Sequence, residues 1–328
     1  MRALLLHHEG DTVRPSIEDV DEAQLPEGDV LIDVAYSSLN YKDGLAVTNK
    51  GKIIRGEYPF VPGIDLAGTV AASDSPLYAE GDAVILTGWG TGEDRWGGYA
   101  TRARAKAEHL VRLPEDLSLK DAMLVGTAGF TAMLSVLALE EMRVVPESGP
   151  VVVTGASGGV GSTAIALLAR AGYTVAASTG TASAHDYLQK LGASEIVDRA
   201  ELAEALTAPM GTGRWAGAVD SVGGTTLASL LATTKRHGCV TACGLAGGHA
   251  LQTTVFPFIL RGVVLYGIDS NTAPHAKRET AWARLTEAVR GRAFKSVETV
   301  IGLSEVVEYS EVITRGATQG RVIVDVNV

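Results

Sequence analysis

The sequence is poor in cysteine, in positive charge and in long apolar runs, and each shortage excludes a class of protein. Its two cysteines, Cys239 and Cys243, rule out a disulfide framework and favour a reducing compartment, the cytoplasm. Lys and Arg number 28 against 38 Asp and Glu, a formal net charge of −10, so we expect no nucleic-acid partner. We find no run that approaches membrane-spanning length and no signal peptide, so we expect no membrane partner.

What the sequence does contain is a glycine-rich turn between a strand pattern and a helix pattern. Residues 151–154 form an apolar, β-branched run typical of a strand, and residues 160–172 carry a helical apolar face. The turn consists of Gly155, Ser157, Gly158, Gly159, Val160 and Gly161. Glycines let the backbone approach a pyrophosphate, and the N–H groups of the helix N-terminus bind its charge. This order predicts the dinucleotide-binding unit of a Rossmann fold.

Strand and helix patterns alternate along the chain after this turn. Further strands are predicted at residues 174–178, 195–197, 216–219, 239–243 and 263–267, with helices between them. Such alternation implies right-handed crossovers and a parallel, doubly wound sheet with both faces covered.

The segments on either side of this α/β region predict a second, β-rich domain. Strand patterns occur at residues 1–6 and 30–36, and a helix at 278–289 precedes a final strand at 321–326. We predict an α/β protein in which a Rossmann domain (124–267) is inserted into a β-rich domain (1–123 and 268–328). Cofactor and substrate are expected to meet in the cleft between the two.

The end of the second strand of the Rossmann pattern favours NADPH over NADH. This segment, Ser178, Thr179, Gly180 and Thr181, lacks the Asp or Glu that binds a ribose 2′-hydroxyl in NAD-selective sites. Its hydroxyl groups can donate to a 2′-phosphate instead. Arg199, after the third strand, is either a cation for that phosphate or an exposed arginine at a helix start.

A mid-chain glycine turn behind a β-rich domain resembles the medium-chain dehydrogenase/reductase superfamily. Short-chain dehydrogenases need a Tyr-x-x-x-Lys pair, and no Tyr in this chain is followed four residues later by Lys. Alcohol dehydrogenases of the medium-chain superfamily hold zinc with a Cys and a Gly-His-Glu segment. The matching stretches here read Leu39-Asn40-Tyr41-Lys42-Asp43 and Gly63-Ile64-Asp65. The resemblance therefore implies a GroES-like catalytic domain, and the missing Cys and His predict a site without metal.

Longer segments resemble the acryloyl-CoA reductase family of zinc-free, NADPH-dependent enzymes. They are residues 38–43, 49–55, 58–68, 87–98 and 243–270, and Gln319-Gly320-Arg321 near the end of the chain. The resemblance implies reduction of acryloyl-CoA to propanoyl-CoA, with hydride delivered to Cβ and a proton to Cα, and it implies a homodimer. One position departs from the family, which often has arginine where this chain has Thr181.

The resemblance also assigns roles to single residues. Tyr41 would position the nicotinamide or the substrate and supply a proton, Asn40 would donate to the thioester carbonyl, and Asp43 would orient the loop. Tyr41 packing at a strand end and Asp43 closing a loop are the structural alternatives. Leu245, Ile259 and Ser270 resemble residues that contact the cofactor.

A CoA ester carries several negative charges, so an acidic protein needs local cations to bind it. The candidates in the distinctive segments are Lys50, Lys52, Arg55, Arg95 and Arg321. Two alternatives stay open at this point. The chain is a zinc-free quinone or general enone oxidoreductase on the same scaffold, or a non-catalytic NADPH-binding protein.

Overall fold

The computed structural model describes residues 1–204, 208–290 and 298–328, and the chain divides into two compact units. The first unit contains Met1–Thr127, Ser270–Arg290 and residues 298–328. The second unit contains Ala128–Asp269. The sequence prediction placed the corresponding boundaries at 123/124 and 267/268.

Fifteen strands and nine α-helices lie in the described residues. The strands are β1 (Arg2–Glu9), β2 (Thr12–Asp19), β3 (Val30–Leu39), β4 (Asp65–Ser73), β5 (Ala83–Thr87), β6 (Arg102–Ala105), β7 (Val111–Arg112), β8 (Val151–Val153), β9 (Val175–Thr179), β10 (Glu195–Asp198), β11 (Trp215–Asp220), β12 (Thr234–Ala242), β13 (Val264–Gly267), β14 (Glu298–Gly302) and β15 (Arg321–Asp325). The helices are α1 (Tyr41–Val47), α2 (Leu119–Glu141), α3 (Gly159–Arg170), α4 (His185–Lys190), α5 (Arg199–Ala203), α6 (Gly224–Thr233), α7 (Phe256–Arg261), α8 (His275–Arg290) and α9 (Val306–Thr314).

The second unit is built on a parallel sheet with the strand order β10-β9-β8-β11-β12-β13. The order reverses between β8 and β11, which is the doubly wound arrangement in which ligands bind beyond the carboxyl ends of the strands. Val152, Ala176, Ala218 and Val240 lie side by side in the sheet and are buried, because helices cover both faces. The predicted Rossmann sheet is confirmed.

The first unit is β-rich, as predicted. Its main sheet has the order β14-β15-β3-β4-β5-β7, with β6 also paired to β3, and β1 and β2 form a separate hairpin. The last strand, β15, pairs antiparallel with β3, with Val322 opposite Leu39. The chain therefore returns to its first unit after the Rossmann sheet is complete, as the insertion predicts.

The sequence analysis missed several elements of the first unit, among them β2, β4 and α9. The hairpin strand β2 contains Pro15 and is largely exposed, so it has no clean apolar alternation. Strand β4 lies in the segment 37–70, whose density of Asn, Tyr, Asp, Lys and Gly predicts loops. Helix α9 is rich in β-branched residues, which favour strands, and it forms because it packs on α1.

Two predicted helices differ from the structure. The sequence predicts a helix over 117–139, whereas α2 has the same length, lies two residues later, and is interrupted at Gly126, whose φ is +52°. The sequence also predicts a helix over 200–206, whereas α5 spans Arg199–Ala203; residues 205–206 lie outside the described residues.

Helix α2 corrects the statement that no run approaches membrane-spanning length. It has 23 residues and a mean hydropathy of 1.9 over its most apolar window, enough to cross a membrane by length and composition. However, 89% of that window is buried inside the protein, and a buried core helix passes the same test.

Candidate functional site

The glycine turn of the second unit joins β8 to α3 and leaves no room for side chains. Gly155 adopts φ +56°, which only glycine adopts freely, and Gly158 lies at the N-cap of α3. A Cβ on Gly161 would collide with the carbonyl oxygen of Gly155. The first N–H groups of a helix have no intrahelical acceptor, so the turn presents donors to an anion. This cradle fits the pyrophosphate of a dinucleotide.

A buried carboxylate braces this turn against the end of β11. Thr154 Oγ1 donates to Asp220 Oδ1 at 2.6 Å, and the Gly223 N–H donates to Asp220 Oδ2 at 2.8 Å. Ser221 Oγ closes the link by donating to the Thr154 carbonyl at 3.1 Å. Burial raises the pKa of Asp220. The sequence analysis missed this brace, although an Asp directly after a predicted strand was a signal for it.

The end of β9 carries the residues predicted to select NADPH. Ser178 and Thr179 are buried at the carboxyl end of the strand, and the Ser178 carbonyl accepts from the Ala156 N–H of the glycine turn at 3.3 Å. The Arg199 guanidinium lies so close to Gly180 that a Cβ on that glycine would collide with it. Arg199 is exposed and forms no ion pair within residues 1–204, 208–290 and 298–328. The structure thus brings an uncommitted cation to this strand end.

The remaining predicted cofactor residues are more scattered. Leu245 lies in the loop after β12, and its Cα packs close to Gly223, beside the Asp220 brace. Ile259 lies in α7 with its side chain 68% exposed. Ser270 belongs to the first unit, where its carbonyl accepts from Arg278 at 3.1 Å.

In the first unit, the predicted catalytic residues lie at the start of α1. Tyr41 is the first residue of the helix and is 44% exposed. Asp43 is buried and holds the helix start, since its Oδ2 accepts from the Asn40 N–H at 2.9 Å. Its Oδ1 accepts from the Ile64 N–H at 2.9 Å, which ties α1 to the segment before β4. The structural alternative for Asp43 therefore describes what it does in the fold.

Behind α1 lies a polar cluster, which we define as Ser38, Asn40, Asp43, Asp65 and Arg321. Asp65 accepts hydrogen bonds from the Ser38 N–H at 2.9 Å and from Ser38 Oγ at 2.8 Å. The same Ser38 Oγ accepts from Arg321 Nη2 at 2.7 Å, so a hydroxyl group bridges the two opposite charges. All five side chains are buried.

The polar cluster corrects two predicted roles. Arg321 was predicted to contact CoA phosphates, but its guanidinium is buried and donates to Leu124 O at 3.0 Å and Asn40 Oδ1 at 3.3 Å as well as to Ser38. Asn40 was predicted to donate to the thioester carbonyl, but its Nδ2 faces Asp43 Oδ2 and Asp65 Oδ2, each at 3.1 Å. The structure supports neither role, because both groups donate to buried acceptors within the chain.

Charge in the polar cluster is unbalanced, with two carboxylates and one guanidinium. Burial and the neighbouring Asp65 charge raise the pKa of Asp43 to about 7, although its hydrogen bonds from Asn40 and Ile64 act in the other direction. Burial lowers the pKa of Arg321, while Asp65 and Asp43 oppose that shift. Burial also raises the pKa of Tyr99, whose hydroxyl donates to the Ser38 carbonyl at 3.2 Å.

A second charged group holds the surface next to Tyr41. The buried Glu93 carboxylate pairs with Lys42 at 2.8 Å and with Arg55 at 3.0 Å. These contacts connect α1 to the two distinctive segments 49–55 and 87–98. Arg55, a candidate for CoA phosphates, is thereby neutralised.

The donors for a metal ion are also absent where the superfamily holds zinc. Asn40 and Ile64 stand near positions that carry ligands in zinc enzymes, and neither residue is Cys or His. Across the described ranges, no group of three or more His, Cys, Asp or Glu side chains is placed to hold a metal. Metal-free chemistry stays a prediction.

Two protein families match the two parts of the chain. The alcohol dehydrogenase GroES-like domain family matches residues 26–115, and the zinc-binding dehydrogenase family matches residues 159–287.

Proteins similar along the whole chain have also been described. The chain is 51% identical to "Probable acrylyl-CoA reductase AcuI" of Escherichia coli, over 100% of both proteins. It is 48% identical to "Acrylyl-CoA reductase AcuI" of Ruegeria pomeroyi, over 97% of this chain and 96% of the relative. Among solved structures, the yhdH oxidoreductase of Salmonella enterica in complex with NADP superposes with a TM-score of 0.97 at 52% identity, covering 99% of each chain.

Proposed function

Because the chain belongs to the acrylyl-CoA reductase family of the medium-chain dehydrogenase/reductase superfamily, we propose that it reduces the carbon–carbon double bond of acryloyl-CoA to give propanoyl-CoA, with NADPH as the reductant. The observation that carries the proposal is the identity of about half of all residues to two acrylyl-CoA reductases, along the full length of the chain. The geometry of both units supports it.

The second unit supplies the cofactor site of this proposal. The N–H groups at the start of α3 bind the pyrophosphate, and Arg199 with the hydroxyls of Thr179 and Thr181 binds the 2′-phosphate. Arginine suits this role because its guanidinium stays charged and matches phosphate geometry. NADPH, when bound, supplies the hydride that reduces Cβ of the substrate.

The first unit supplies the proton and the donors. Tyr41 is the exposed hydroxyl at the start of α1, so we assign it the proton that Cα receives. Asn40 and Asp43 position Tyr41 through the hydrogen bonds that begin α1 and do not touch the substrate. A hydrogen-bond donor at the thioester oxygen stabilises the negative charge that develops there without a metal ion.

The proposal is tested by measuring NADPH oxidation with acryloyl-CoA, crotonyl-CoA and a simple quinone, each with and without a chelator. We expect the highest kcat/KM for acryloyl-CoA and no effect of the chelator. A preference for the quinone would make the protein a quinone or general enone oxidoreductase. Tight NADPH binding without turnover of any substrate would make it a non-catalytic binding protein. Activity that is lost on chelation and returns with zinc would overturn the metal-free reaction.

We propose that the protein is a homodimer. Val255, Phe256, Ile259 and Leu260, in and beside α7, are large apolar residues that are exposed in the single chain, and β13 is an edge strand. A second copy over this face would bury it. Sedimentation velocity should give twice the 34.1 kDa of one chain, and Leu260→Glu should shift the protein toward the monomer. A wild-type protein that stays at 34.1 kDa at every concentration would contradict the proposal.

We also propose a cytoplasmic location without a membrane partner. Cys239 and Cys243 are free thiols, and burial raises the pKa of each to about 12. Free, buried thiols with raised pKa values are typical of a protein without disulfides. Cell fractionation should recover the protein in the cytosolic fraction, and recovery with membranes after a high-salt wash would contradict this.

A further inference from the structure

The first unit contains a cavity of ≈ 580 Å³ to which the proposed reaction assigns no role. Its walls include Glu27, Trp89, Arg95, His109, Asn271 and Thr272. None of the polar cluster residues lines it, and neither does Tyr41. Sites for organic ligands have volumes of roughly 300–1,000 Å³, so the cavity is large enough for more than a single ion.

One wall of the cavity is a stack of planar groups. The Trp89 and His109 rings lie parallel, with an interplanar angle of 3° and centroids 4.8 Å apart. The Arg278 guanidinium, which is fully buried and does not line the cavity, supports this wall at 4.9 Å from the centroid of the Trp89 ring. Flat, polarisable groups of this kind form rigid walls for a planar ligand.

The backbone at this wall is strained. Trp89 adopts φ +58°, a conformation that bulky residues rarely take, between Gly88 at +75° and Gly90 at +76°. Strain of this kind clusters at ligand sites. Such a residue stays in place only where its surroundings over-determine it.

Arg278 holds the backbone around Trp89 in this conformation. It is fully buried and donates to the carbonyls of Thr87 at 2.8 Å, Asn271 at 2.8 Å and Ala273 at 3.0 Å. The Asn271 carbonyl also accepts from the Trp89 N–H at 2.9 Å. A buried arginine thus holds both edges of the cavity in one conformation, and the walls are rigid before any ligand binds.

The cavity is lined by one guanidinium, Arg95, and by two carboxylates, Glu27 and Asp94, of which Asp94 pairs with Arg55 at 3.3 Å. Lys50 pairs with Glu311 at 2.5 Å, Arg55 pairs with Glu93, and Arg321 is consumed in the polar cluster. The Arg95 guanidinium makes no hydrogen bond and no ion pair within the described ranges. Of the predicted CoA cations, Lys52 is also unpaired there, but it is exposed and does not line the cavity.

His109 completes the polar part of the wall. Burial lowers its pKa, and the nearby charge of Arg95 lowers it further, so its imidazole is neutral at pH 7. A neutral imidazole offers one donor and one acceptor.

We propose that this cavity binds the adenosine 3′-phosphate end of CoA, with Arg95 on a phosphate group and the adenine ring beside the Trp89–His109 wall. The proposal rests on the proposed function, which makes a CoA thioester the substrate. In a protein of net charge −10, a polyanionic substrate needs a local cation, and Arg95 is the one that lies in a preformed cavity. The exposed Glu27 carboxylate at the cavity can accept from the exocyclic amine of adenine.

The test compares acryloyl-CoA with acryloyl-pantetheine, which has the same reacting group and lacks the nucleotide. In Arg95→Gln we expect KM for acryloyl-CoA to rise about 10-fold or more, since a charge-assisted hydrogen bond contributes roughly 1.5–3 kcal/mol. The kcat for both substrates and the KM for acryloyl-pantetheine should not change. Arg95→Lys should recover part of the lost affinity.

The matched control is Arg104→Gln. Arg104 is exposed on β6, has no ion pair among the described residues and does not line the cavity, so its KM for acryloyl-CoA should stay at the wild-type value. Equal increases in both variants would reduce the effect to net charge and overturn the site.

A second measurement needs no variant. Adenosine 3′,5′-bisphosphate should inhibit the wild-type enzyme competitively against acryloyl-CoA at saturating NADPH. Competition against NADPH alone would place the probe in the cofactor site and overturn the proposal.

In the variant experiment, the proposal is overturned if Arg95→Gln changes the KM values of both thioesters equally or changes neither.

The two proposals fail in different ways. If no thioester is reduced, the proposed function is wrong, and direct calorimetric binding of adenosine 3′,5′-bisphosphate to wild type and Arg95→Gln still tests the cavity. Binding that the variant loses would support the cavity as a nucleotide site, and absent binding would overturn it. If acryloyl-CoA is reduced with the same KM by wild type and Arg95→Gln, only the cavity proposal fails.

Discussion

The glycine turn of the second unit depends on missing side-chain atoms, whereas the polar cluster of the first unit depends on buried side chains that hydrogen-bond to one another. The turn works by omission, because missing Cβ atoms at Gly155 and Gly161 bring backbone N–H groups to a ligand. The polar cluster works by saturation, since Asp65 and Arg321 are buried and share Ser38 between them. A backbone site tolerates no added atom, whereas a buried charge cluster tolerates no missing one.

The two regions also differ in where their residues come from. The turn is contributed by one short segment, 154–161, which the Asp220 brace and the Ser178 carbonyl contact from neighbouring strands. The polar cluster collects residues from β3, α1, β4 and β15. Damage to the turn should therefore change one function, cofactor binding, while damage to the polar cluster should change the stability of the whole first unit.

The largest expected effect comes from Asp65→Asn, which removes one of the two carboxylates that face the buried Arg321 charge and puts an amide opposite the donors of Ser38 and Asn40. Removing one member of a buried group of charges costs about 3–5 kcal/mol, so urea unfolding should show a loss of that size. The control is Asp33→Asn, because Asp33 pairs with Arg102 at 3.0 Å at the surface and is 55% exposed. Its loss should stay below about 1 kcal/mol. Equal losses in the two variants would show that burial of the polar cluster carries no special cost.

Tyr41→Phe removes the exposed hydroxyl at the start of α1. If that hydroxyl holds the proton for Cα, kcat for acryloyl-CoA should fall by about 100-fold, because a positioned acid contributes that much or more. The KM should change little, and steady-state kinetics separates the two. Tyr309→Phe is the matched control, since Tyr309 lies half-buried in α9, and this variant should keep the wild-type kcat. An unchanged kcat in Tyr41→Phe would remove Tyr41 from the mechanism.

Gly161→Ala tests the glycine turn by adding one carbon atom. The new Cβ meets the Gly155 carbonyl, which is backbone and cannot rotate away, and overpacking costs about 1–3 kcal/mol. The NADPH dissociation constant should rise roughly 10-fold to 100-fold in a fluorescence titration. Gly267→Ala is the control in the same unit, since nothing lies within 4 Å of its added Cβ. Unaltered binding in Gly161→Ala would contradict a cradle closed by backbone.

The smallest expected effect, taken per unit of pH, is a pH dependence of stability that the polar cluster imposes. The pKa of Asp43 rises from 3.8 to about 7 on folding, so the folded state binds more protons than the unfolded state between these values. The stability contribution of Asp43 is therefore complete below pH 4 and declines as pH rises toward 7, by at most about 1.4 kcal/mol per pH unit. Thermal unfolding across this range should show the decline in wild type, and Asp43→Asn should flatten it. An equal slope in both proteins would assign the decline to other groups.

Local patterns in the chain were sufficient for much of the fold. The strand, turn and helix at 151–172 and the alternation after them predict the parallel sheet, because apolar periodicity reports directly on which faces are covered. The failures at β2, β4 and α9 share one cause. Their residues read as turns, loops or strands locally, and long-range pairing overrides that preference.

The candidate site divides along the same line. The amino-acid order alone established the cofactor turn, the strand end without a carboxylate and the missing zinc ligands, since each depends on residue types within a few positions of one another. The roles of Asn40 and Arg321 were settled by the folded chain, because a side chain donates to whichever acceptor lies beside it, and Asp65 and Arg321 are brought together from opposite ends of the sequence. Local backbone geometry follows from neighbouring residues, but the cost of a buried charge depends on all the groups that surround it.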